Sequence, residues 1–145
     1  MSHTSNLLDG LARLIADAGI AVYRPDGLYA ADEVAIIIGA VPDHPDNVIA
    51  LTPYAVDDAS GTEDVTEAVQ VRYRAGTDPR AALDRADAVY DLLNMRVHTD
   101  LSGVHAGVIW RQSQAWIGPD TADRQEITAN YYMRTIRTTP HLIEI

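Results

Sequence analysis

The chain contains no cysteine, no lysine and no phenylalanine. Without cysteine there are no disulfides, no thiolate nucleophile and no cysteine-ligated metal. All 11 basic residues are therefore arginines, set against 21 acids for a net charge of −10. A field of that sign repels phosphates, because nucleic-acid binding needs clustered cations that displace counterions. No apolar run approaches the ~18 residues of a membrane-spanning helix. The opening stretch "MSHTSNLLDGLARLIADAG" lacks a basic leader and carries Asp9 and Asp17, unlike a secretory signal. The absence of Lys and Phe beside abundant Ala, Asp, Val and Arg points to a GC-rich coding genome.

What is present is globular. The chain has 145 residues, 47% hydrophobic and 22% charged, which suits one domain over 1–145 in a bacterial-type cytoplasm. Leu7, Leu8, Leu11, Leu14, Ile15 and Ala18 recur at helical spacing and predict a helix over 5–18, with Ser5 as N-cap and Gly19 as terminator. "GTDPRAALDRADAVYDLLNMR" predicts a second helix, capped by Asp78, opened by Pro79, with Leu83, Ala86, Tyr90 and Leu93 inward.

The strands are less sharply signalled. "IAVYRPDG" predicts a short strand that stops at Pro25, and "EVAIIIG" a strand, with a buried helical turn as the alternative. "NVIALTPYAV" is a strand whose Pro53 belongs on an edge or at a bulge. Asp57–Glu67 reads as an exposed acidic loop. In "AVQVRYRAG", Val69, Val71 and Tyr73 alternate with Gln70, Arg72 and Arg74, a strand with one wet face. Three more strands follow: "GVHAGVIWRQS", "AWIGPD" and "RQEITANYYMRTIRTT", the last placing Tyr131 and Tyr132 on opposite faces. Strands and helices do not alternate regularly, so the class is α+β: a mainly antiparallel sheet with two helices packed on one face.

Chemistry is sparse. The histidines, His3, His44, His98, His105 and His141, show no HExxH or His-x-His spacing and read as surface or core residues rather than ligands or a base. "DHPD" at 43–46 reads as a proline-bounded turn before it reads as a metal site. Asp57, Asp58, Glu63 and Asp64 lack the calcium-loop pattern, and no phosphate loop or nucleophile elbow occurs. These patterns predict no catalytic residue, cofactor or metal. A small hydrolase using His44, His98 or His105 with an acid is the enzymatic alternative. The residues suited to a protein interface are Asp57, Asp58, Glu63 and Asp64, Arg72, Arg74, Arg111 and Arg134, with Trp116 and Tyr132 as aromatic anchors. For Tyr132 the alternative is that it only covers the sheet.

The ordered set "LLDGLARLIADAGI", "VYRPDGLY", "AIIIGAVPDHPDNVIALTPYAV", "VQVRYRAGTDPRAALDRADAVYDLL" and "NYYMRT" resembles phage minor capsid proteins of the tail-terminator type, found in long-tailed phages and prophages of actinobacteria. The resemblance spans 7–137. "PDNVIALTPY" and "DPRAALDRAD" are its most telling motifs, and 113–125 is ordinary sequence outside the quoted segments. It implies an α+β structural protein of the virion, assembled in the host cytoplasm and placed at the head-tail junction. There it would cap the tail tube as a ring, usually of six copies, and meet both the tail tube protein and a head-completion or connector protein. A related head-completion or tail-tube component is the alternative. A head-to-tail ring needs two different patches per copy. The arginines of 68–74 would face the acidic 57–67 loop of a neighbour, setting register.

Overall fold

The Ser2 hydroxyl accepts the Ser5 backbone N–H at 3.2 Å and caps helix α1, His3–Asp17, in the computed structural model, which describes residues 1–59 and 61–142. The cap is thus Ser2 and not Ser5, because the helix runs on into His3 and Thr4. At the other end Gly19 has φ +77°, a left-handed turn that glycine adopts without steric cost. Leu7, Leu8, Leu11 and Ile15 are buried as the spacing requires.

Helix α2, Pro79–Leu93, starts where Asp78 Oδ1 accepts the Arg80 N–H at 3.0 Å. Its buried stripe is Ala82, Ala86, Val89 and Leu93. That is a rotation from the expected one: Leu83 is 40% exposed and Tyr90 half-buried. Small residues face the sheet and let the helix approach it closely, leaving Leu83 on the flank.

Six strands form one sheet in the order β1-β2-β3-β6-β5-β4. β1 is Ala35–Ile38, β2 Val48–Asp57, β3 Asp64–Arg74, β4 Arg96–Leu101, β5 Val104–Pro119 and β6 Gln125–Ile136. Only β1 and β2 run parallel; every other neighbouring pair is antiparallel. The fold is α+β, with a mixed sheet that is mostly antiparallel.

Three expectations change. "IAVYRPDG" contributes a single bridge, Val22 to Ala35, and no strand. The exposed loop shrinks, since β2 extends to Asp57 and β3 begins at Asp64, and Val65, Thr66 and Glu67 are buried. After α2, "GVHAGVIWRQS" and "AWIGPD" are one long strand, bent by bulges at 106/108, 111/113 and 116/118. The strand not foreseen is β4, joined to β5 by a tight turn in which Ser102 and Gly103 have φ of 49° and 92°.

One face of the sheet carries the core. Ile127, Ala129, Tyr131 and Met133 of β6 lie beside Val69, Val71 and Tyr73 of β3 and cluster with the buried stripes of both helices. Helix α1 meets β4 closely: a Cβ on Gly10 would lie 2.5 Å from Leu101 Cα. Among the described residues, no helix lies on the opposite face.

Candidate assembly surfaces

The proline turn between β1 and β2 is held from inside the subunit. Arg74, at the end of β3, donates to the carbonyls of Pro45 at 2.7 Å, Asp46 at 3.0 Å and Asp43 at 3.3 Å. Burial lowers its pKa from the ordinary arginine value, helped by the nearby Arg124 cation. Arg124 reaches the same turn, donating to the Asp43 carbonyl at 2.7 Å and pairing with Asp43, Asp46 and Asp120. Arg85 donates to Asn47 Oδ1 at 3.3 Å. The Arg74 and Arg124 guanidiniums fix the path of the backbone, so "DHPD" is a scaffold turn with its carbonyls turned inward.

This changes the roles of two expected interface residues. Arg74 is 4% exposed, so it does not offer its charge to a neighbour. Arg72 grips Glu126 with two bonds, at 3.2 and 2.8 Å, bridging β3 and β6 within the subunit. Strand alternation had placed both on a wet face. That inference fails for Arg74 because the 43–47 turn folds over it.

The helix-free face holds a row of aromatic rings. Tyr132 on β6 lies between Tyr54 on β2, with centroids 6.4 Å apart, and Trp110 on β5, 5.9 Å away, both edge to face. Tyr54 and Tyr132 both stand opposite Ala68 in the register, and this small residue between them is 1% exposed. The Tyr54 hydroxyl donates to Asn130 Oδ1 at 2.9 Å, and Asn130 Nδ2 to Ser113 Oγ at 3.0 Å. Tyr132 is half-buried in this row. Tyr54, which is not among the expected interface residues, stays 39% exposed. Arg134 lies on this face, exposed, with Nη1 donating to Thr66 Oγ1 at 3.0 Å.

Two borders of the sheet are open. β1 covers β2 only along Val48–Leu51, so Thr52–Asp57 has β3 on one side and no described strand on the other. Pro53 sits there, on the edge where a missing N–H costs least. β4 covers β5 only as far as Ile109, so Gln112–Ile117 is likewise open and exposed. Trp116, 47% exposed, and Ile117, 53% exposed, lie on that border. Arg111 at its start lies 4.2 Å over the Tyr90 ring and donates to Gln114 at 3.2 Å.

The acids gather at the far end of β2. Asp57 Oδ1 accepts the Ala59 N–H at 3.0 Å, and Asp58, Glu63 and Asp64 are exposed around it. Glu67, one step inward, is buried and accepts from Thr135 Oγ1, with His3 Nε2 at 2.8 Å and Arg137 at 3.6 Å. This tie fastens the start of α1 to the sheet. Among the other histidines, His44 lies in solvent 3.4 Å from Asp43, and the rings of His98 and His105 lie 5.8 Å apart on the β4–β5 hairpin.

Comparison with known proteins adds two findings. The family described as "bacteriophage tail terminator protein" matches residues 14–136. Among solved structures, a chain from "Virion of native gene transfer agent (GTA) particle" has a similar fold, with TM-score 0.62 and 19% identity, covering 93% of this chain and 99% of that one. No curated protein matches.

Proposed function

This chain belongs to the bacteriophage tail terminator family, and on that premise we propose that it closes the growing tail tube as a ring and offers the surface where the head docks. It is a structural component of the phage particle, and the proposed action makes and breaks no bond. The observation that carries the reading is the family match over 14–136. The sheet supports it, with an uncovered face and two unlike open borders, which supply the different patches a head-to-tail ring requires.

In this reading the ring has six copies and touches the tail tube protein on one side and a head-completion or connector protein on the other. Each copy carries −10, so six carry about −60 before screening. An acidic wall repels DNA phosphates, and the genome would pass through the ring without binding it.

Deleting the gene from its phage or prophage tests the role. Particles lacking the protein should carry tails of abnormal length with unjoined heads, and supplying the protein should restore both. Tails of normal length that lack only full heads would instead assign it to head completion.

A further inference from the structure

We propose that neighbouring copies join by continuing the sheet: the open border of β2, Thr52–Asp57, in one copy pairs antiparallel with the open border of β5, Gln112–Ile117, in the next. The proposal rests on the ring reading above and specifies its contact. An open strand border is a template for another strand, and proteins that must not pair there blunt it with charge, lysine or proline. Gln112–Ile117 carries no charge and no proline, and it exposes Trp116 and Ile117. Its bulges limit how far a partner can run along it. A second open border of equal length stands on the other side of the same sheet, bearing exposed Tyr54 and Val56.

Charge selects the direction. Antiparallel pairing sets Asp57 and Asp58 of one copy beside Arg111 of the next, whereas parallel pairing would set them toward Asp120. Arg111 has no carboxylate within ion-pair distance among the described residues, its guanidinium lying instead over Tyr90. The faces also agree. Pro53 and Ala55 stand opposite Val69 and Glu67, on the helix-bearing face, and Trp116 and Gln114 stand opposite Ile127 and Ala129 on that same face. A register with Pro53 against Trp116 therefore brings Ala55 to Gln114 and Tyr54 to Ala115, with helices on one side of the joined sheet throughout. The β1–β2 bonds Ala35 N–H to Asn47 and Gly39 N–H to Leu51 show that odd-numbered residues of β2 turn their backbone groups to this border as far as Ala55, where a bulge shifts the register. Pro53 then removes one donor and narrows the acceptable registers, while Ala55 supplies both donor and acceptor.

The native chain has no cysteine, so cross-linking gives a clean test. A variant with Ala55→Cys and Gln114→Cys, oxidised in the presence of tail tubes, should give a covalent ladder ending at the ring's copy number. Neither single substitution should cross-link. Rings seen by electron microscopy without a ladder would overturn the edge contact and leave the ring reading standing. Ala55→Cys cross-linking to itself would overturn it as well, because the contact would then be symmetric. A chain that stays single at every concentration and on tubes would defeat both. As a second arm, Gln114→Glu with Ala115→Glu should raise the concentration for half-assembly by about tenfold or more while leaving the thermal melt of the single copy unchanged. Unchanged assembly would count against the contact.

Discussion

Arg74 Nη2 donates to the Pro45 carbonyl at 2.7 Å across 29 residues of sequence. That bond ties the end of β3 to the turn that launches β2, so the register of the sheet and the path of the proline turn are set together. Replacing the cation with an apolar side chain of similar length strands the Pro45 and Asp46 carbonyls beneath the turn, while the Asp43 carbonyl keeps Arg124.

Arg74→Met should therefore cost about 2–4 kcal/mol, since charge-assisted bonds are lost and buried acceptors stay unpaired. Arg74→Lys should recover only part, because an ammonium cannot span the three carbonyls as a guanidinium fork does. Chemical denaturation measures both. Hydrogen exchange should quicken at 46–48 before it changes elsewhere, and uniform quickening would refute the local role.

The tyrosines show a second consequence of composition. Tyr73 and Tyr131 are fully buried, and their hydroxyls have only each other nearby, without a well-formed hydrogen bond to any group. In a chain without phenylalanine, tyrosine fills sites where a bare ring would suffice. Tyr73→Phe and Tyr131→Phe should each leave stability unchanged or raise it by about 1 kcal/mol, because a desolvated hydroxyl is removed without losing a bond. A loss above that size in thermal melts would show that the hydroxyls are satisfied.

Alkaline pH should expose the same residues. Burial pushes the Tyr131 hydroxyl up to about 12 and Tyr73 well above its ordinary value. Burial and the bond to Asp9 push Tyr23 up to about 12. The folded chain then keeps protons that the unfolded chain releases near pH 10. Stability is full below that pH and falls as pH rises from about 10 toward 12, by at most about 1.4 kcal/mol per pH unit for each buried tyrosine. Denaturation midpoints between pH 8 and 11.5 measure the fall, and the two Phe variants should lessen it to the share that Tyr23 contributes.

Gly10 sets the distance between α1 and β4. Gly10→Ala would press a methyl group against the Leu101 backbone, 2.5 Å from its Cα, where no rotamer relieves it. A cost of about 1–3 kcal/mol is expected despite alanine's better helix propensity. A stabilised variant would mean that the helix shifts freely on the sheet.

Much of this fold was legible in the chain, and the misses share a cause. Both helices announce themselves through spacing and caps, because Asp78-Pro79 and Gly19 act locally. The α+β class and the split of Tyr131 from Tyr132 follow from alternation. β4 was hidden because "RVHTDL" has few apolar residues and contains His98 at φ 47°. Long β5 looked like two strands because its bulges break the period of two. For the surfaces, Trp116 and the acids are exposed as their sequence suggests, but local pattern could not show that Arg72 and Arg74 are engaged within the subunit. Their partners, Glu126 and the 43–46 carbonyls, lie 28 or more residues away. Arg124 gave no hint at all, since its function depends on a turn that approaches from elsewhere.

The most direct measurement is the length distribution of tail tubes polymerised with and without the purified protein, read by electron microscopy. Tubes given the protein should stop growing and carry a ring at one end. Tubes that keep lengthening at every protein concentration, with bare ends, would contradict the terminator role.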